Sequence, residues 1–116
     1  MEIKDKLVEA IVKGIQEKKG QNITIADLRG IDGNIASYFV ICQGNSPSQV
    51  EAIADSVCET ARIEAGEKPV HTVGLPQAYW VAKDFVEVFV HVFKPEARYF
   101  YNLENLWEDA KVTNIP

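Results

Sequence analysis

Little in this sequence points to a metal, a disulfide framework or a membrane. There are two cysteines, Cys42 and Cys58, and no CxxC pair. Cys42 lies in an apolar run and Cys58 in a helical pattern, so both read as buried free thiols rather than a bridge. The two histidines, His71 and His91, stand alone without metal-ligand spacing to either cysteine. No apolar run approaches the roughly 18 residues of a membrane span. The opening Met1-Glu2-Ile3-Lys4-Asp5-Lys6 mixes charges and runs into an amphipathic pattern, unlike a signal or transit peptide. A cytoplasmic location is the expectation. Positive charge is also scarce: 12 Lys+Arg against 17 Asp+Glu leave a formal charge of −5. That balance argues against a surface built for nucleic acid and suits a basic partner. What is present is 116 residues, 47% hydrophobic and 25% charged, enough for one core and a single domain over residues 1–116.

Periodicity divides the chain into short elements. Ile3, Leu7, Ile11 and Ile15, with Val8 and Val12 beside them, form one apolar stripe and predict a helix over 2–19. Lys18 and Lys19 followed by Gly20 form a helix stop. Residues 23–28 predict a strand, and Asp32-Gly33-Asn34 a turn. The continuous apolar run 36–43 predicts a central strand covered on both faces. It leads into Gly44-Asn45-Ser46-Pro47-Ser48-Gln49, with Ser46 as N-cap, Pro47 at the first helical position and Gln49 closing a capping box. Val50, Ile53, Ala54, Val57 and Ala61 mark the buried stripe of this second helix, which ends near Ala65-Gly66. A short strand over 68–73 ends at the breaker Gly74-Leu75-Pro76.

Residues 78–84 and 87–93 predict a hairpin. With Phe85 and Val86 as turn residues, Asp84 pairs with Glu87, Ala82 with Phe89, Trp80 with His91, Val81 with Val90 and Lys83 with Val88. One face is then rich in valine and belongs against the helices. The other carries Trp80, Asp84, Glu87, Phe89, His91 and Phe93. Val86 is awkward in a two-residue turn because positive φ disfavours β-branching, and a longer loop is the alternative. Lys94-Pro95 breaks the strand, 96–101 reads as a turn or short helix, and Asn102 caps a last helix through Leu103, Leu106 and Trp107 to Ala110. The tail 111–116 is expected to fray. The order α-β-β-α-β-β-β-α predicts an α/β (α+β-like) mixed sheet of about five strands with helices packed on it.

The chemistry is thin. Gly44-Asn45-Ser46 leads from a strand into a helix N-terminus, an anion-friendly position. Nucleotidyl transfer would also need metal-binding carboxylates close by on a neighbouring strand, and only Asp84 and Glu87, at a turn, are candidates. There is no GxxxxGK[ST] and no GxGxxG. His91 has Ser37, Ser46 and Cys42 as conceivable nucleophile partners, with nothing in the spacing to set such a geometry. The aromatic face is the most informative feature. Trp80, Phe89, His91 and Phe93 are followed by Arg98, Tyr99, Tyr101 and Trp107, and Trp, Tyr and Arg are the types most enriched at binding hot spots. Folding of the C-terminal segment over these rings is the competing reading.

These residues also carry a resemblance. Tyr38-Phe39-Val40-Ile41, Gly44-Asn45-Ser46, Gln49-Val50, Ile53-Ala54-Asp55, Trp80-Val81, Asp84, Val90-His91-Val92-Phe93, Arg98, Phe100-Tyr101, Leu103-Glu104 and Leu106-Trp107 resemble the ribosomal silencing factor (Iojap-related) family over roughly residues 3 to 110. The resemblance implies a nucleotidyltransferase-like fold without enzymatic activity and without a cofactor. It implies a translation repressor that binds the large ribosomal subunit through its ribosomal protein fourteen and sterically blocks joining of the small subunit, often as a homodimer. Large-subunit assembly is the alternative role, and a nucleotide-binding enzyme a more distant one. Carried over residue by residue, the partner-binding candidates are Trp80, Asp84, His91, Phe93, Arg98, Tyr101, Leu103 and Trp107. Four places depart from the family pattern. Ser37 stands where the family usually has Asp, Ser48 where it has Arg, Val73-Gly74 where it has Glu-Gly, and Asp84-Phe85-Val86-Glu87 where it has Asp-Tyr-Gly-Asp.

Overall fold

The computed structural model describes residues 5–29, 37–74, 80–101 and 111–115, without the side chains of 99–101. Helix α1 spans Lys6–Glu17, and Asp5 sets its start by accepting a hydrogen bond from the Val8 N–H at 3.0 Å. Leu7, Val8, Ile11, Val12 and Ile15 are buried, as the stripe requires. The helix stops in a way the glycine signal only half explains. Lys19, at φ +60°, takes the left-handed position, while Gly20 N–H returns to the Ile15 carbonyl and Lys19 N–H to that of Gln16. Gly20 is needed for space instead: a Cβ there would drive into the Ile15 side chain.

Strands β1 (Gln21–Asp27) and β2 (Tyr38–Gln43) pair antiparallel. Helix α2 (Pro47–Thr60) opens on Ser46, whose Oγ accepts from Gln49 N–H. The return bond of the expected capping box reaches one residue further, from Asn45 N–H to Gln49 Oε1. Gln49 Nε2 also donates to the Lys18 and Lys19 carbonyls at 3.1 Å each, so one side chain ties the start of α2 to the end of α1. Val50, Ile53, Ala54, Val57 and Ala61 are all buried. The helix widens into a π-turn at Ala61–Ala65 and ends on Gly66 at φ +67°.

Strands β3 (His71–Gly74), β4 (Trp80–Asp84) and β5 (Val88–Phe93), short helix α3 (Pro95–Tyr101) and strand β6 (Lys111–Ile115) complete the chain. The mixed sheet has the order β3-β4-β5-β2-β1-β6, with β2 and β5 parallel at its centre and every other neighbour antiparallel. Tyr38, Val40 and Cys42 of β2 and Val88, Val90 and Val92 of β5 bury one face against α1 and α2.

Three expectations are corrected. The sheet has six strands rather than about five, because the tail expected to fray is β6. Its backbone pairs with β1 from Ile23↔Ile115 to Asp27↔Lys111, and Thr24 Oγ1 bonds Asn114 Oδ1 at 2.9 Å. A five-residue edge strand with mostly exposed side chains carries almost no local signal. The third strand begins and ends later than expected and includes Gly74. The hairpin register has also slid. Trp80 faces Phe93 rather than His91, Ala82 faces His91, and Asp84 faces Phe89. The slide is two residues, so every side chain keeps its expected face. Its cause is the turn: Phe85 folds into the core, its N–H bonds the Val88 carbonyl, and the loop takes in 85–87. The turn at Asp32-Gly33-Asn34 and the last helix through Leu103 and Trp107 lie outside the described residues.

Val86 stands at the tip of that loop with φ +76°, and Glu87 N–H closes back on the Phe85 carbonyl at 3.0 Å. This is the rare, strained class of γ-turn, and a β-branched side chain makes it costlier. Val86 is 53% exposed and contributes little packing. Val86→Gly is therefore expected to raise stability by about 1 kcal/mol. The urea midpoint should rise with an unchanged slope; a lower midpoint would show that Val86 is not strained.

Candidate functional site

The face of the sheet turned away from α1 and α2 is built by alternation. Phe39 and Ile41 from β2, Phe89, His91 and Phe93 from β5, and Trp80, Ala82 and Asp84 from β4 all point to it. His71 and Val73 extend it to the β3 edge. The rings form a ladder. Trp80 stacks on His91 at 5.9 Å between centroids and 4° between planes, and on Phe93 at 6.0 Å and 11°. His91 stacks on Phe93 at 5.9 Å, and Phe39 joins His91 at 5.4 Å and Phe89 at 5.2 Å. The Trp80 indole N–H donates to His91 Nδ1 at 3.0 Å. Burial pushes the His91 pKa down to about 4, so the imidazole is neutral at pH 7 and able to accept.

Around the ladder lies a groove of about 310 Å³, walled by Val73, Trp80, Ala82, Phe89 and His91, with His71 and Asp84 at its rim. Asp84 is half-buried. Its Oδ1 accepts from Val86 N–H at 2.7 Å, and its Oδ2 lies 3.9 Å from His71 Nδ1. At the other end of the face α3 is pinned by Arg98, whose guanidinium donates to Thr24 Oγ1 at 2.9 Å, to Gln43 Oε1 and to the Asn22 carbonyl. Asn22 can offer that carbonyl because it sits at φ +51° in a bulge of β1.

The family model described as "Ribosomal silencing factor during starvation" matches residues 1–116. The chain belongs to this family. A protein named Ribosomal silencing factor RsfS from Halalkalibacterium halodurans is 38% identical over 109 residues, covering 94% of this chain and 92% of that one. Its counterpart in Bacillus subtilis is 40% identical over 99 residues, covering 85% and 82%. A crystal structure of a Chromobacterium violaceum protein superposes with a TM-score of 0.82 at 31% identity, covering 96% of this chain and 90% of that one.

Within this member of the ribosomal silencing factor family, the eight expected contact residues are placed unequally. Trp80 and Asp84 are half-buried on the groove. Phe93, expected as a contact, is 1% exposed. It stands between Trp80 of β4 and Gln43 of β2 and stacks on Trp80 and His91. His91 is likewise 9% exposed. Arg98 turns back onto β1 and β2. Tyr101 ends α3, and Leu103 and Trp107 lie outside the described residues. Phe39 and Ala82 were not among the candidates. The β2 run showed no alternation, and only its parallel pairing with β5 reveals that Phe39 shares a face with His91.

Two of the four departures from the family pattern have local accounts. Ser37 Oγ donates to the Glu87 carboxylate at 2.6 Å, a pairing that an aspartate at 37 would turn into repulsion. Val86 occupies the positive-φ position where the family carries glycine. The geometry lends nothing to nucleotidyl transfer. Gly44 follows the C-terminal end of β2, while Asp84 and Glu87 flank the N-terminal end of β5. The two parallel strands separate these groups by about 20 Å. The Asn45, Gln49 and Val50 N–H groups at the start of α2 are already bonded to Gln49 Oε1, Ser46 Oγ and the Ser46 carbonyl. Among the described residues no three His, Cys, Asp or Glu side chains gather as a metal site. Burial raises the Cys42 thiol to about 12, which makes it a poor nucleophile. Cys42 also points to the helix side of the sheet, away from His91.

Proposed function

We propose that this chain is a ribosome-associated translation repressor that binds the large ribosomal subunit through its ribosomal protein fourteen and blocks joining of the small subunit. The observation that carries the reading is the aromatic face: an ordered indole and a carboxylate beside an apolar groove, on a chain of the ribosomal silencing factor family. Trp80 and Asp84 are the contacts, and His91 and Phe93 pack beside Trp80. A charge of −5 steers the chain toward a basic ribosomal protein. The sheet face, on a molecule 36 × 33 × 27 Å across, accommodates the roughly 800 Å² per partner of a standard interface. No catalytic step is required, and the site of action is the cytoplasm.

Co-sedimentation with separated ribosomal subunits tests this. The chain should travel with large subunits and not with small ones, and should reduce joined ribosomes when both are mixed. Binding to neither subunit would remove the reading. Binding to large-subunit precursors but not to mature subunits would favour assembly instead. A homodimer through the same groove is a second reading, favoured by the exposed β3 edge strand beside it. It would compete with ribosome binding.

A further inference from the structure

We propose that His91 is a positioning residue: its Nδ1 holds the Trp80 indole in the orientation presented to the partner, and His91 itself makes no contact with that partner. The inference rests on the reading of Trp80 as a contact. An indole nitrogen can only donate. The 3.0 Å bond from Trp80 Nε1 therefore requires a bare lone pair on His91 Nδ1 and places the imidazole proton on Nε2. That Nε2–H is buried with no acceptor among the described residues. Such a group costs stability, and a phenylalanine would fill the same place in the ladder without it. The position thus holds a side chain that is poor for stability and suited to one task, accepting the indole N–H.

The register makes the contact fit. Trp80 stands directly opposite Phe93, and His91 stands opposite Ala82. Alanine leaves the diagonal open, so the indole can lie along the imidazole with their planes 4° apart. Burial keeps the imidazole neutral well below neutral pH, so the acceptor persists under cellular conditions. With two χ angles, an unrestrained tryptophan must lose rotamer freedom on binding; one already held loses less.

Two measurements on the full chain test this. In the 15N-labelled parent at pH 7, the imidazole shifts should report a proton on Nε2 of His91 and the Trp80 indole proton should exchange slowly. A proton on Nδ1 would overturn the proposal whatever the variants do. His91→Phe keeps a ring and removes the acceptor. Its Tm should equal or exceed the parent's, its Trp80 indole proton should exchange faster, and its affinity for large subunits should fall about tenfold. His91→Gln, whose carbonyl can accept the indole, should recover slow exchange and most of the affinity despite a lower Tm. A merely structural role would make affinity follow Tm across the pair. A folded His91→Phe that binds like the parent would also overturn the proposal. If the parent itself does not bind large subunits, the proposed function falls, while the tautomer and the indole exchange still decide whether His91 holds Trp80.

Discussion

Gly14→Ala is expected to cost about 3 kcal/mol of stability, a large effect for a single methyl group. Gly14 lies on α1 where that helix crosses α2. A Cβ there would stand 2.8 Å from the Ser56 carbonyl oxygen and 3.0 Å from Val57 Cα, and would collide with Thr60 Oγ1. The hydroxyl could rotate, but the two backbone atoms cannot. The helices must therefore separate. Separation also stretches the buried bond from Ser56 Oγ–H to the Gly14 carbonyl, 2.8 Å in the native packing, which is worth about 1 kcal/mol. Against this, alanine gains about 1 kcal/mol of helix propensity over glycine, so the net penalty stays near the figure given. Thermal unfolding should drop by about 10 °C. A variant within two or three degrees of the parent would mean that α1 and α2 slide past one another more freely than their packing suggests.

Trp80→Ala should weaken large-subunit binding by at least ~2 kcal/mol, or about thirtyfold, while leaving the protein folded. The indole is half-buried and stands over a groove rather than within the main core. The valines that anchor β4 and β5 to the helices lie on the opposite face. Its loss removes one layer of the aromatic ladder without opening the core. Circular dichroism should match the parent, and co-sedimentation should reveal the loss. A folded Trp80→Ala chain that binds like the parent would move the interface away from the groove, for example to the far end of the face near Arg98. The test is sharper beside His91→Phe. Both variants should weaken binding, but only Trp80→Ala removes contact area, so it should be the weaker binder of the two.

Much of this protein follows from patterns only a few residues long. The α1 stripe, the α2 stripe and the Ser46-Pro47 start are local, because helix period and capping depend on neighbours within one or two turns. The division of β4 and β5 into a valine face and an aromatic face is local too. Strand period is two, so the division survived a wrong hairpin register. The resemblance to the ribosomal silencing factor family rested on the same short runs. What needed the tertiary structure was every partner chosen from far away in the chain. The β6 edge gains its strand only by pairing with β1, with Thr24 and Asn114 ninety positions apart. Phe39 reaches the aromatic face only because β2 lies parallel to β5. The order of exposure on that face was likewise invisible. Trp80, His91 and Phe93 look alike as aromatic residues on alternating positions. Packing of the whole chain encloses Phe93 and His91 and leaves Trp80 half-buried, and strand position alone does not decide it, since Phe89 on the same strand and face stays half-buried. Burial and long-range pairing are properties of the whole packed chain, so residue type and spacing determined which side chains share a face within one hairpin, and the fold alone decided which strands join that face and which of its side chains stay exposed.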